Sequence, residues 1–134
     1  MLFGAEHVKR YIETDGREGH EWREGTKTLI LTTKGRRSGE QRSTPLIYEP
    51  HGDDYIVVAS KGGADEHPGW YMNLQAEPQL EVQVLCDRFS AHARTATAEE
   101  RPELWQLMNS AWPHYAEYQE KTSREIPIVI LERD

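Results

Sequence analysis

Five cations fall within the twenty residues from Thr26 to Pro45, namely Lys27, Lys34, Arg36, Arg37 and Arg42, against one acid, Glu40. Three of them belong to the run Lys34-Gly35-Arg36-Arg37-Ser38-Gly39. Glycines let the backbone amides of such a turn form a concavity for an anion. Arginine forks add paired donors for phosphate or carboxylate oxygens. Further on, Ala59-Ser60-Lys61-Gly62-Gly63 places another cation on a second glycine-bearing loop. The plainer alternative is a solvated edge turn whose charges serve solubility.

A second group is aromatic: Trp105, Trp112, Tyr115 and Tyr118, with His114 among them. Tyr115 and Tyr118, three residues apart, face the same side of a helix. A tyrosine hydroxyl there can hydrogen-bond a substrate oxygen or deliver a proton. Trp105 reads as core. For Trp112, Tyr115 and Tyr118 two readings stay open, packed core or a lid over an aromatic ligand.

Other chemistries lack their residues. The six histidines are scattered without the i, i+4 pairing or the Cys/Asp partners at ligand spacing that a site needs, so no metal site is expected. Ser60 lacks the preceding glycine of a nucleophile elbow. The basic turn has no Walker spacing, and G-x-G-x-x-G does not occur, so a nicotinamide Rossmann site is excluded. Cys86 is alone, which rules out an intramolecular disulfide. The net charge of -7 divides into +4 over Thr26–Pro45 and -11 elsewhere. Such a field repels polyanions, so no nucleic-acid partner is expected, and one small anionic ligand fits better.

The elements that must position these residues read as α+β. At 134 residues and 37% hydrophobic, the chain suits one core. A short helix over Ala5–Glu13 and a loop through Gly25 form an N-terminal arm, residues 1–25. Residues 26–134 form the main domain. Six strands are expected, at Thr28–Thr33, Ser43–Glu49, Asp54–Ser60, Leu80–Leu85, Phe89–Ala96 and Ile126–Leu131. Helices are inserted at Trp70–Ala76, at Ala98–Ser110 behind a Thr97/Glu100 capping box, and at His114–Lys121. This order points to a curled, mostly antiparallel barrel. With neither a signal peptide nor a 20-residue apolar run, a cytoplasmic protein is expected.

Four motifs in order resemble the deazaflavin-dependent nitroreductase family: Leu31-Thr32-Thr33-Lys34-Gly35-Arg36-Arg37-Ser38-Gly39-Glu40-Gln41-Arg42 with Pro45-Leu46; Ala59-Ser60-Lys61-Gly62-Gly63; Pro68-Gly69-Trp70-Tyr71-Met72-Asn73-Leu74 with Pro78; and Ile126-Pro127-Ile128-Val129. The likeness runs from about Thr28 to Leu131. It implies a split β-barrel related to flavin-mononucleotide-binding barrels, with reduced coenzyme F420, an 8-hydroxy-5-deazaflavin, as hydride donor.

The resemblance also implies residue roles. Lys34, Gly35, Arg36, Arg37, Ser38 and Gly39, with Arg42 and Pro45, would hold the coenzyme's phosphate and acidic tail. Ala59, Ser60 and Lys61 would lie beside its phosphate or ring, and Trp70 and Asn73 would line the same pocket. Ser60, Tyr115 and Tyr118 are the catalytic candidates, the two tyrosines sharing a substrate pocket with Trp112. Trp112 stands where the family's best-known member has a tyrosine. The activity implied is hydride transfer from reduced F420 to a quinone-like or nitroaromatic acceptor. An FMN-using relative and a non-catalytic flavin- or deazaflavin-binding module are the alternatives. A homodimer and transient contact with a membrane surface, which would make the protein membrane-peripheral, are compatible with this reading.

Overall fold

The computed structural model describes residues 2–134. Its elements run α1 (Gly4–Glu13), β1 (Thr28–Lys34), β2 (Gln41–Ile47), β3 (Glu49–His51), β4 (Asp54–Val58), α2 (Gly69–Ala76), β5 (Gln79–Val84), β6 (Asp87–Thr95), α3 (Arg101–Ala111), α4 (His114–Glu120) and β7 (Ile128–Arg133). The strands form one sheet in the order β2-β1-β5-β6-β7-β4-β3. Every pairing within it is antiparallel. The sheet curls until β2 meets β4, giving the split half-barrel that the strand order promised.

Burial on both faces of the central strands explains the apolar runs. Along β4 and β7, Val57, Val129 and Leu131 point into the barrel with Leu29, Leu31 and Val82. Their alternates Ile56, Val58, Ile128 and Ile130 face outward, onto Leu104 and Met108 of α3. A period-two strand can be apolar throughout only when both of its sides are covered, and here helices cover the outer one.

Seven strands replace the expected six, because the second run divides. Pairing of β2 with β1 ends at Ile47 opposite Thr28, and Glu49–His51 then pairs with β4. Pro50, which falls between the expected second and third strands, sits in an edge strand, where a missing N–H costs nothing. The expected capping box is present: Glu100 N donates to Thr97 Oγ1 (3.2 Å) and Thr97 N to Glu100 Oε1 (2.9 Å). The regular helix begins three residues later than expected, at Arg101.

The N-terminal arm docks along β2. Tyr11 is fully buried; its hydroxyl donates to the Thr28 carbonyl (2.9 Å) and accepts from Leu85 N (2.8 Å). Tyr11 and His7 make the inward face of α1, whereas Ile12 is exposed. No helix among the described residues is long and apolar enough to cross a membrane.

Candidate active site

The β1–β2 turn is held from below by α2. Asn73, buried on that helix, accepts at Oδ1 from the Arg36 backbone amide (3.2 Å) and from Arg36 Nη1 (2.9 Å), while its Nδ2 donates to Thr33 Oγ1 (3.1 Å). The turn is tight at Gly35, where a Cβ would lie 2.9 Å from Ser38 Oγ and 3.2 Å from the Glu40 carbonyl, so a larger residue would have to displace the Ser38 side chain. The Gly35 amide donates to the Glu40 carbonyl and the Gly39 amide to the Gly35 carbonyl. The amides of Arg37 and Ser38 find no internal partner among the described residues. The amides left for an anion are thus fewer than the whole turn offers.

Around this turn lies a cavity of about 440 Å³, lined by Gly35, Arg36, Arg37, Ser38, Arg42, Thr44, Gly69, Trp70 and Asn73. Arg37 makes no ion pair or hydrogen bond among the described residues. Among the described residues Arg42 meets only Glu40, at 3.8 Å with both side chains largely exposed. Exposed pairs of this kind contribute little, so an anionic ligand can displace the carboxylate.

A second cavity of about 390 Å³ adjoins the first, sharing Thr44 and Trp70 with it. Its walls are mostly aromatic and aliphatic: Trp22, Pro45, Leu46, Ile47, Val58, Pro68, Trp112, Tyr115 and Tyr118. Ser60, Lys61 and Gly62 form its polar edge. The Ser60 hydroxyl has no protein partner among the described residues, and Lys61 pairs with Glu66 at 3.2 Å on the surface. The loop is seated closely against α4, because a Cβ on Gly63 would come within 2.7 Å of the Tyr118 carbonyl.

Trp112 and Tyr115 are both buried. Trp112 Nε1 donates to the Tyr118 hydroxyl (3.4 Å), and the Tyr115 and Tyr118 rings meet edge to face at 6.1 Å. Burial, then the neighbouring Tyr118, pushes the Tyr115 phenol up, so it stays protonated at any physiological pH. Its hydroxyl has no protein partner, yet no buried polar side-chain atom among the described residues is unsatisfied. The Tyr115 hydroxyl therefore opens onto the cavity it lines.

Most residues singled out in the sequence converge on these two spaces; Lys34, Gly39 and Ala59 line neither. Two contributors escaped the sequence reading. Trp22, from the arm, packs at a tilt against Trp112 with ring centroids 5.7 Å apart and closes one wall. Arg124 organises the Ser60 loop from behind, donating to the carbonyls of Ala64 (2.8 Å), Ser60 (2.8 Å) and Ala59 (3.3 Å) and to His67 Nδ1 (3.1 Å). A charge-rich polar segment and a lone arginine carry no periodic signal that could have marked either. No group of three or more potential metal-ligating side chains occurs among the described residues.

A cationic cavity adjoins an aromatic one on a split barrel, an arrangement with room for an anionic group beside a flat apolar ring. The model of the F420H(2)-dependent quinone reductase family matches residues 4–133, and the chain belongs to that family. A Mycobacterium tuberculosis protein named F420H(2)-dependent quinone reductase is 40% identical over 130 residues, covering 95% of this chain and 87% of that protein. A structure titled F420-H2 dependent reductase matches with TM-score 0.73 and 42% identity, over 78% of this chain and 93% of that one. Another, described as a domain-swapped dimer, matches with TM-score 0.76 and 39% identity, covering 95% of both chains.

Proposed function

We propose that this protein transfers a hydride from reduced coenzyme F420 to a quinone, with nitroaromatic compounds as alternative acceptors in the same pocket. The observation that carries the reading is the junction of the two cavities at Thr44 and Trp70. One supplies cations and free amides for a phosphate and carboxylate tail; the other supplies aromatic walls for a flat acceptor.

The residues present fit the coenzyme. Among the described residues, Arg37 and the amides of Arg37 and Ser38 are without internal partners, and Arg42 is engaged only by an exposed acid. Arg36, Arg37, Ser38 and Arg42 would hold the anionic groups, with Trp70 and Asn73 beneath and Ser60 and Lys61 at the ring side. Bound there, reduced F420 supplies a two-electron hydride donor, since carbon in place of the flavin N5 disfavours one-electron states.

The chain's own task is then orientation and polarity. Trp70, Trp112 and Trp22 confine the acceptor ring and exclude water. Tyr115, kept protonated by its burial, donates a hydrogen bond to the acceptor oxygen that gains negative charge. Tyr118 and Trp112 fix the geometry of that wall. A metal or a covalent nucleophile has no role in this chemistry.

Equilibrium titration with F420, FMN and NADPH tests the reading. Binding of F420 well ahead of the other two is expected. Preference for FMN would move the protein to the flavin-using alternative. Extending the dimer of its relative to this chain is a separate proposal, checked by a solution mass of twice 15.5 kDa.

A further inference from the structure

Beyond the acceptor pocket lies a third cavity of about 210 Å³, under α1. It is lined by Phe3, His7 and Thr28, and it shares Trp22, Pro45 and Ile47 with the acceptor pocket. The two spaces are therefore neighbouring chambers that meet at the side chains of Trp22, Pro45 and Ile47. Trp22 is only half-buried, held by a hydrogen bond from Nε1 to the Leu2 carbonyl (3.0 Å) and by edge contact with Phe3 (5.8 Å). Both restraints come from the first residues of the arm.

The chemistry of this outer chamber is one-sided. Most polar side-chain atoms at its wall are already engaged: His7 Nε2 and Thr28 Oγ1 both donate to the Gly19 carbonyl, and the Trp22 indole is bonded as above. A chamber with so few free donors and acceptors holds water poorly. It also offers nothing to an anionic coenzyme tail, whose partners lie around Arg37 and Arg42 on the other side of the acceptor pocket. What fits is an uncharged aliphatic chain attached to whatever occupies the inner chamber.

We propose that the outer chamber is a binding site for the apolar side chain of the acceptor, with Trp22 at the junction the chain passes, so that the enzyme favours chain-bearing quinones over bare rings. The proposal rests on the quinone-reductase reading above. At about 30 Å³ per water-sized group, the chamber takes roughly seven such groups, or a chain of about five to ten carbons. Selectivity should therefore rise with chain length and then stop. Each fully buried methylene is worth about fourfold in affinity.

The test uses menadione and the same ring carrying one, two or four isoprene units at position 3. Their binding is measured by calorimetry with and without oxidised F420, and kcat/KM is measured with reduced F420. Expected for the wild type is at least a tenfold gain in affinity from menadione to two units, with less than a twofold change beyond. Phe3 is 53% exposed, so Phe3→Asp tests the chamber without opening the core. It should cut the chain-dependent gain at least fivefold and leave menadione within twofold, while Phe3→Leu should retain the gain. Equal binding of all chain lengths, or equal loss of menadione and chain-bearing quinones in Phe3→Asp, would overturn the assignment. Chain-dependent binding without turnover of any quinone would uphold the chamber while contradicting the catalytic reading.

Discussion

Asn73 Oδ1 accepts two hydrogen bonds from a single residue, Arg36, one from its backbone amide and one from its guanidinium. The helix that floors the pocket thereby fixes both the path of the β1–β2 turn and the direction of one of its cations. Asn73→Leu leaves the Arg36 amide and Thr33 Oγ1 without this partner. A loss of about 1–3 kcal/mol in unfolding free energy is expected, together with weaker F420 binding. Asn73→Asp keeps the acceptor and should retain more of both. Denaturant titration alongside coenzyme titration checks this; unchanged affinity in Asn73→Leu would separate the turn from the coenzyme site.

Arg124 carries no salt bridge within 4 Å among the described residues; it is spent on three carbonyls and on His67. Arg124→Met should raise the KM for reduced F420 more than it lowers kcat, because it loosens the Ser60–Lys61 loop without touching the acceptor. Arg124→Lys should recover only part of the effect, having no planar fork for several carbonyls.

His67 gives this corner a pH dependence. Burial and then Arg124 lower its pKa below the usual 6.5, and Nδ1 must stay unprotonated to accept from Arg124. The unfolded chain therefore binds the proton more readily than the folded one. Stability is full above about pH 6.5 and declines as the pH falls below it. His67→Asn, which can accept from Arg124 but does not titrate, should flatten the acid side of a melting-temperature profile between pH 7 and 5. An unaltered profile would assign the acid sensitivity to another group, with His20, also lowered by burial, the next to test.

Arg42 and Lys61 flank the proposed coenzyme site from opposite loops, each beside an exposed acid. Arg42→Ala or Lys61→Ala should raise the Kd for F420 about three- to tenfold, a charge-assisted bond discounted for solvent exposure. Each should also reduce the salt dependence of binding. A Kd and a salt slope equal to wild type would remove that residue from the site.

Tyr115→Phe deletes the one hydroxyl that opens from the buried aromatic wall. A drop of about two- to tenfold in acceptor reduction is expected at unchanged F420 affinity, the worth of one neutral hydrogen bond in the transition state. Steady-state kinetics with a fixed quinone measures it. If turnover is unaffected, Tyr115 only packs.

Sequence patterns revealed the elements whose chemistry is local. Glycines punctuate the Gly35–Gly39 turn, alternation marks β5, and Thr97 and Glu100 announce their own cap. Partnership across the fold was hidden. Nothing in His20-Glu21-Trp22-Arg23 tells that Trp22 will pack against Trp112, ninety positions on, and the Arg124 side chain reads as solvated until the loop carbonyls surround it. β3 was missed because Pro50 speaks for a turn unless the edge of the sheet is known. Tyr115 and Tyr118 were paired correctly by spacing, but only packing decides that Tyr115 is buried and Tyr118 half-exposed.

The most direct test of hydride transfer is anaerobic oxidation of reduced F420 by menadione, followed at the deazaflavin absorbance with purified protein. One F420 oxidised per menadiol formed, dependent on protein and abolished when reduced FMN or NADPH replaces F420, is the expected result. Tight binding of reduced F420 without acceptor-dependent oxidation would contradict it and leave a coenzyme-binding module in place of an enzyme.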